Sequence, residues 1–124
     1  MPVRSLTSSV LRWPDRAAVD AAARAWAAAE TPRHPGLVCL GYFGSYARGD
    51  SGVGSDLDLV AVVEASNEPF ERRALCWDLD PLPVPADLLV YTREEWERMA
   101  SGGGRFARTL AAETIWVYGR TPRA

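Results

Sequence analysis

The stretch GSYARGDSGVGSDLDLV, residues Gly44 to Val60, decides how this 124-residue chain folds. In its second half Asp56 and Asp58 alternate with Leu57 and Leu59. Successive side chains of a strand point to opposite faces, so the two carboxylates share one face, about 6–7 Å apart, while the leucines enter the core. In its first half Gly44 and Ser45 end an apolar run, Leu37 to Phe43, and open a helical turn. The free backbone N–H groups of such a turn, with a hydroxyl beside them, can hold a phosphate. Between the two strands lie only Gly44 to Ser55, a polar, glycine-rich segment at the lower limit for a parallel crossover, so an antiparallel return is expected.

Outward from this hairpin, Asp56 to Val63 forms the second strand and Asp87 to Tyr91 a third. The interval Glu64 to Ala86 is long enough for a crossover helix near Glu68 to Trp77, followed by the extended alternation of Pro81, Pro83 and Pro85, so those two strands can run parallel. Upstream, Asp15 caps a helix through about Glu30 whose Val19, Ala22, Ala23 and Trp26 form one apolar face; Pro32, Pro35 and Gly36 end it. Downstream, Thr92 and Glu95 make a capping box for a helix through about Ala100, Gly102 to Gly104 break it, and Arg105 to Ala112 is helical again. Ile115 to Tyr118 suggests a last strand. The expectation is one α/β domain over 15–124 with a mixed β-sheet and flanking helices, preceded by an N-terminal arm, 1–14, that suits a short edge strand.

At 13.6 kDa, with 48% hydrophobic and 24% charged residues, the chain has ordinary globular composition. Its net charge of −2 leaves no overall positive field for a long nucleic acid, so no stable nucleic-acid binding is expected. All 14 basic residues are Arg, which removes a P-loop lysine and any lysine Schiff base. Cys39 and Cys76 stand alone in apolar surroundings and read as buried thiols of a reducing cytosol rather than zinc ligands. No apolar run approaches the eighteen or so residues of a membrane span. The expected location is cytoplasmic, with no membrane partner.

Two acids on one sheet face repel. A divalent cation between them removes that repulsion, and a second metal close by can clamp the attacking and leaving oxygens of a phosphoryl or nucleotidyl transfer. The plainer reading of Asp56 and Asp58 is a half-exposed strand with acids in solvent. Asp78 and Asp80 repeat the spacing, but they end a short helix before Pro81 and read as capping and solvent. The distance to a Gly-Ser turn separates the two pairs. A third acid, Asp87, heads the strand DLLVY, where it can bind a metal or take an acceptor's proton; taken alone it is an ordinary strand entry. Arg48 can contact a phosphate or fix the loop through Asp50 or Asp56. Tyr46 is given no role. His34, the sole histidine, sits in a turn without a triad motif, and Gly102 to Gly104 read as a flexible link. The five tryptophans read as core or interface.

The run Gly44-Ser45, ten residues, Asp56-x-Asp58 and a later strand with Asp87 resembles the nucleotidyltransferase superfamily to which DNA polymerase beta belongs. More closely, Gly44-Ser-Tyr-Ala-Arg-Gly with Ser55-Asp-Leu-Asp-Leu is similar to the minimal nucleotidyltransferases of bacteria and archaea, across roughly Leu37 to Tyr91. The resemblance implies a polymerase beta-like fold in which Asp56, Asp58 and Asp87 bind two magnesium ions and carry catalysis. Gly44 and Ser45 would hold the phosphates of ATP, with Arg48 at the position of the family's arginine in the same turn. It implies transfer of a nucleoside monophosphate, AMP from ATP, to an acceptor hydroxyl. Family members of this size are found beside a helical HEPN partner in toxin–antitoxin pairs, where some modify a tyrosine of that partner. The rival reading is an antitoxin-like binding subunit without catalysis that neutralises a helical partner by covering it. An acceptor site would come from that partner or from a second copy in a homodimer.

Overall fold

The computed structural model describes residues 13–119. The segment read as an edge strand in the N-terminal arm lies outside them, apart from Trp13.

Helix α1, Arg16–Glu30, is rich in alanine, the best helix former. Asp15 caps it by accepting a hydrogen bond from the Ala18 N–H at 2.8 Å. It buries Val19, Ala23, Trp26 and Ala27 against the sheet. A 3-10 turn, Thr31–Arg33, leads to β1, Leu37–Phe43; a one-turn helix α2, Ser45–Arg48, and a loop return the chain to β2, Leu57–Val63. After the crossover come β3, Ala86–Thr92, helices α4, Arg93–Gly102, and α5, Arg105–Glu113, and β4, Ile115–Gly119.

The strands make one mixed sheet in the order β3-β2-β1-β4. β1 is antiparallel to both β2 and β4, whereas β2 and β3 are parallel. This matches the single α/β domain with a mixed sheet and flanking helices expected from the sequence. Strand alternation splits the core. Leu40, Tyr42, Leu57, Leu59 and Leu88 pack with α1 on one face, and Cys39, Val60 and Val62 pack with Trp96 of α4 and Leu110 of α5 on the other. Thr92 and Glu95 form the expected capping box, with the Thr92 hydroxyl accepting from the Glu95 N–H and the Glu95 carboxylate from the Thr92 N–H.

Two expectations are corrected. The crossover helix contracts to α3, Phe70–Arg73, and a 3-10 turn, Ala74–Cys76. Trp77 leaves the helix at φ −110°, ψ 143°, which carries its ring inward to stack on His34 with centroids 3.6 Å apart. Burying one large aromatic is worth more than another turn of a short, solvent-facing helix. Cys76 is consequently exposed, because Trp77 takes the inward position beside it; only Cys39 is a buried thiol, and burial pushes its pKa up to about 12. Among the described residues no helix is long and apolar enough to cross a membrane.

Candidate active site

Gly44 ends β1 with φ 80° and ψ −153°, a backbone conformation open almost only to glycine. A second constraint acts there: a Cβ on Gly44 would collide with Oδ2 of Asp58. The Gly-Ser turn and the first strand of acids are therefore in van der Waals contact. Four residues cannot hold a helix alone, and α2 is pinned from outside. Arg16 of α1 donates from Nε to the Tyr46 carbonyl at 2.9 Å and from a terminal guanidinium nitrogen to the Ala47 carbonyl at 3.1 Å, satisfying the helix's free C-terminal oxygens. Tyr46 is 1% exposed; its hydroxyl accepts from Trp13 Nε1 at 2.8 Å and donates to the Ser55 carbonyl at 3.3 Å. Tyr46, left without a role by the sequence, is thus the anchor of the loop that joins turn to acids. Gly49, at φ 88°, closes the turn in the left-handed conformation.

Asp58 lies on β2 directly beside Asp87 of β3 in the parallel register, so the two side chains point to the same face. Asp56 stands one residue ahead of β2, two positions from Asp58 on the same alternation. All three acids reach the end of the sheet where β2 and β3 begin. The Asp58 carboxyl is raised above its ordinary range first by burial, then by the neighbouring charges of Asp87 and Asp56, with Arg48 opposing. Phe43, paired across β1 with Asp58, helps line a cleft of ≈ 460 Å³ together with Asp58, Asp87 and Leu89.

Among the described residues, no three His, Cys, Asp or Glu side chains converge closely enough to make a ready-made metal cage. Magnesium does not require one. It prefers hard oxygen ligands, keeps several waters, and is held through one or two carboxylates plus the phosphates of its substrate. Carboxylate oxygens only, with Asp58 paying for the proximity of two like charges, are a donor set that fits such an ion.

Arg48 is found in the loop-fixing role that the sequence left open, with a partner not foreseen. Its Nε meets Asp50 Oδ2 at 3.1 Å, and a terminal nitrogen meets Glu113 Oε1 at 3.2 Å. The same Glu113 oxygen accepts the Gly44 N–H at 2.9 Å. Glu113, the last residue of α5, was missed by sequence reasoning because its contact with Gly44 spans 69 residues. One signal existed: an acid at a helix C-terminus opposes the macrodipole and calls for a compensating partner. Asp78 and Asp80 are in solvent as read, but they do not end a helix, because the helical segment stops at Cys76; the Asp78 carboxylate instead accepts the Asp80 N–H at 3.0 Å in a local turn. His34 bonds Glu30 at 3.0 Å, next to the start of β1 and away from the acids.

The family model described as a nucleotidyltransferase domain matches residues 33–117. No curated protein gives a significant sequence match. Among solved structures, a protein from Sulfolobus solfataricus provisionally assigned as a nucleotidyltransferase aligns with a TM-score of 0.61 at 19% identity, over 85% of this chain and 84% of that one. A toxin–antitoxin structure with AMP-PNP aligns with a TM-score of 0.51 at 16% identity, over 79% of this chain and 74% of that one. At such identities the likeness is one of fold.

Proposed function

The chain belongs to the nucleotidyltransferase domain family, and from that membership we propose that it moves a nucleoside monophosphate, AMP from ATP, onto an acceptor hydroxyl. The observation that carries this reading is the contact between the two halves of the motif: Gly44 lies against Asp58 with no room for a side chain between them, and Asp87 stands beside Asp58.

The triphosphate lies on the Gly44-Ser45 turn, where first-turn N–H groups without intrahelical acceptors, the Ser45 hydroxyl and the Arg48 guanidinium face its oxygens. Asp56, Asp58 and Asp87 would hold two magnesium ions, which when bound neutralise charge on the phosphates and on the departing oxygen. The acceptor oxygen bonds to the α-phosphorus, the bond from that phosphorus to the bridging oxygen breaks, and pyrophosphate leaves with the electron pair. Asp87, exposed at the head of β3, takes the acceptor's proton. The half-buried Asp58 is less suited to that exchange and more suited to a fixed ligand.

The toxin–antitoxin neighbour with a bound nucleotide analogue supports placing the acceptor on a partner chain. A tyrosine of a HEPN-type helical protein is the acceptor that the motif resemblance favours. The test is to incubate the chain and its co-purifying partner with ATP and magnesium and weigh each intact polypeptide. One added AMP on the partner, absent with Asp58→Ala, is the expected result. Unmodified masses beside a stable complex would favour occlusion over chemistry.

A further inference from the structure

The proposed phosphate turn already carries an anion supplied by the protein itself. Glu113 Oε1 accepts the Gly44 N–H at 2.9 Å and meets the Arg48 guanidinium at 3.2 Å. These are two of the groups that the proposed function assigns to phosphate, and a carboxylate oxygen uses them as a phosphate oxygen would. We propose that Glu113 is an internal competitor of the nucleotide: its carboxylate occupies the Gly44 and Arg48 donors in the free protein and must yield them when a triphosphate binds.

Three further features point the same way. Glu113 is the last residue of α5, where carbonyl ends of the helix dipole disfavour a negative charge, so its hold on the turn works against its own helix. Its side chain is 21% exposed, which leaves room to swing outward without unpacking the core. Next to it, Thr114 Oγ1 is a buried side-chain oxygen with no hydrogen-bond partner among the described residues. A buried orphan hydroxyl marks the junction of α5 and β4 as a place where another arrangement can be better satisfied.

The consequence is selectivity by charge. The single Gly44 N–H cannot serve a carboxylate and a phosphate at once, and Arg48 already divides its donors between Asp50 and Glu113, so a ligand must outcompete a tethered anion, and a triphosphate with several oxygens does so better than a single phosphate. The inference rests on the reading of Gly44 as a phosphate site, and the experiment separates the two. ATP and inorganic pyrophosphate are titrated calorimetrically, with magnesium, into the full chain and into Glu113→Gln and Glu113→Asp. Gln keeps the size and an acceptor oxygen but loses the charge, whereas Asp falls one methylene short of the turn. Both variants are expected to bind both ligands about tenfold more tightly than the native chain. Equal or weaker binding by both variants, with the native chain binding normally, overturns the competitor role and leaves the proposed function standing. No binding by any of the three overturns both. Should Glu113→Gln not fold, Glu113→Asp decides alone.

Discussion

Where β2 and β3 begin, Asp58 stands beside Asp87 with Asp56 close by, and among the described residues the one cation opposing them is the half-exposed Arg48. Where the same strands finish, charges meet their opposites. Arg73, 8% exposed, donates to the Val90 carbonyl at 3.0 Å and to both carboxylate oxygens of Glu95 at 2.6 and 3.1 Å. Arg93 grips Glu64 with two hydrogen bonds, at 3.1 and 3.0 Å. One pair of parallel strands thus ends in a satisfied network and starts in an unsatisfied one. A cluster of like charges left without compensation lowers stability, and such strain persists where a ligand relieves it.

The contrast breaks most visibly at Asp58. Asp58→Asn is expected to reduce nucleotide transfer by on the order of a thousandfold and, at neutral pH, to raise the melting temperature by roughly 2–5 °C. The folded chain holds the Asp58 proton more tightly than the unfolded chain does, so stability falls as pH rises through that group's raised range. Asn removes the loss. Thermal unfolding at pH 7 and near pH 3 checks it, because the gain should shrink at the lower pH; a variant that is less stable at pH 7 would contradict the charge account.

At the paired end the same kind of change has the opposite sign. Arg73→Ala is expected to cost about 3 kcal/mol in urea unfolding while leaving nucleotide affinity unchanged, since it strands the Glu95 carboxylate and empties a buried site. Altered nucleotide binding would show that the two ends are coupled. Glu95→Gln is expected to cost on the order of 2 kcal/mol. Its hydrogen bonds to Arg73 hold the Glu95 carboxyl at about 2 against an ordinary 4.5. That stability is therefore complete above pH 4.5 and lost as pH falls toward 2. Glu95→Gln should flatten the pH dependence of urea unfolding across this window.

The smallest effect sharpens the turn. Tyr46→Phe removes the hydroxyl that accepts from Trp13 and donates to Ser55, for about 1 kcal/mol. If the loop positions the acids, transfer should slow more than stability falls, and equal losses would make Tyr46 simple core.

Much of this was legible from local patterns. Alternation in Asp56 to Leu59 fixed one face for the acids, and the short polar return forced β1 and β2 antiparallel. The long interval before Asp87 allowed the parallel register that puts Asp87 beside Asp58. What escaped were contacts between distant segments that no local period encodes. Arg73 was only one residue of an overextended crossover helix, Glu95 only half of a capping box, and Glu113 the unremarked end of α5. Tyr46 was invisible for the same reason, because its burial depends on Trp13 and Ser55 arriving from both sides. Cys76 was misplaced because apolar neighbours in sequence do not say which of them turns inward.

The most direct measurement is calorimetric titration of ATP into the purified chain with and without magnesium, alongside Asp58→Asn. One nucleotide bound per chain, dependent on magnesium and lost in the variant, is the expected result. Binding that is indifferent to both magnesium and Asp58, or no binding with either, would contradict a nucleotide site built from the Gly-Ser turn and the three aspartates.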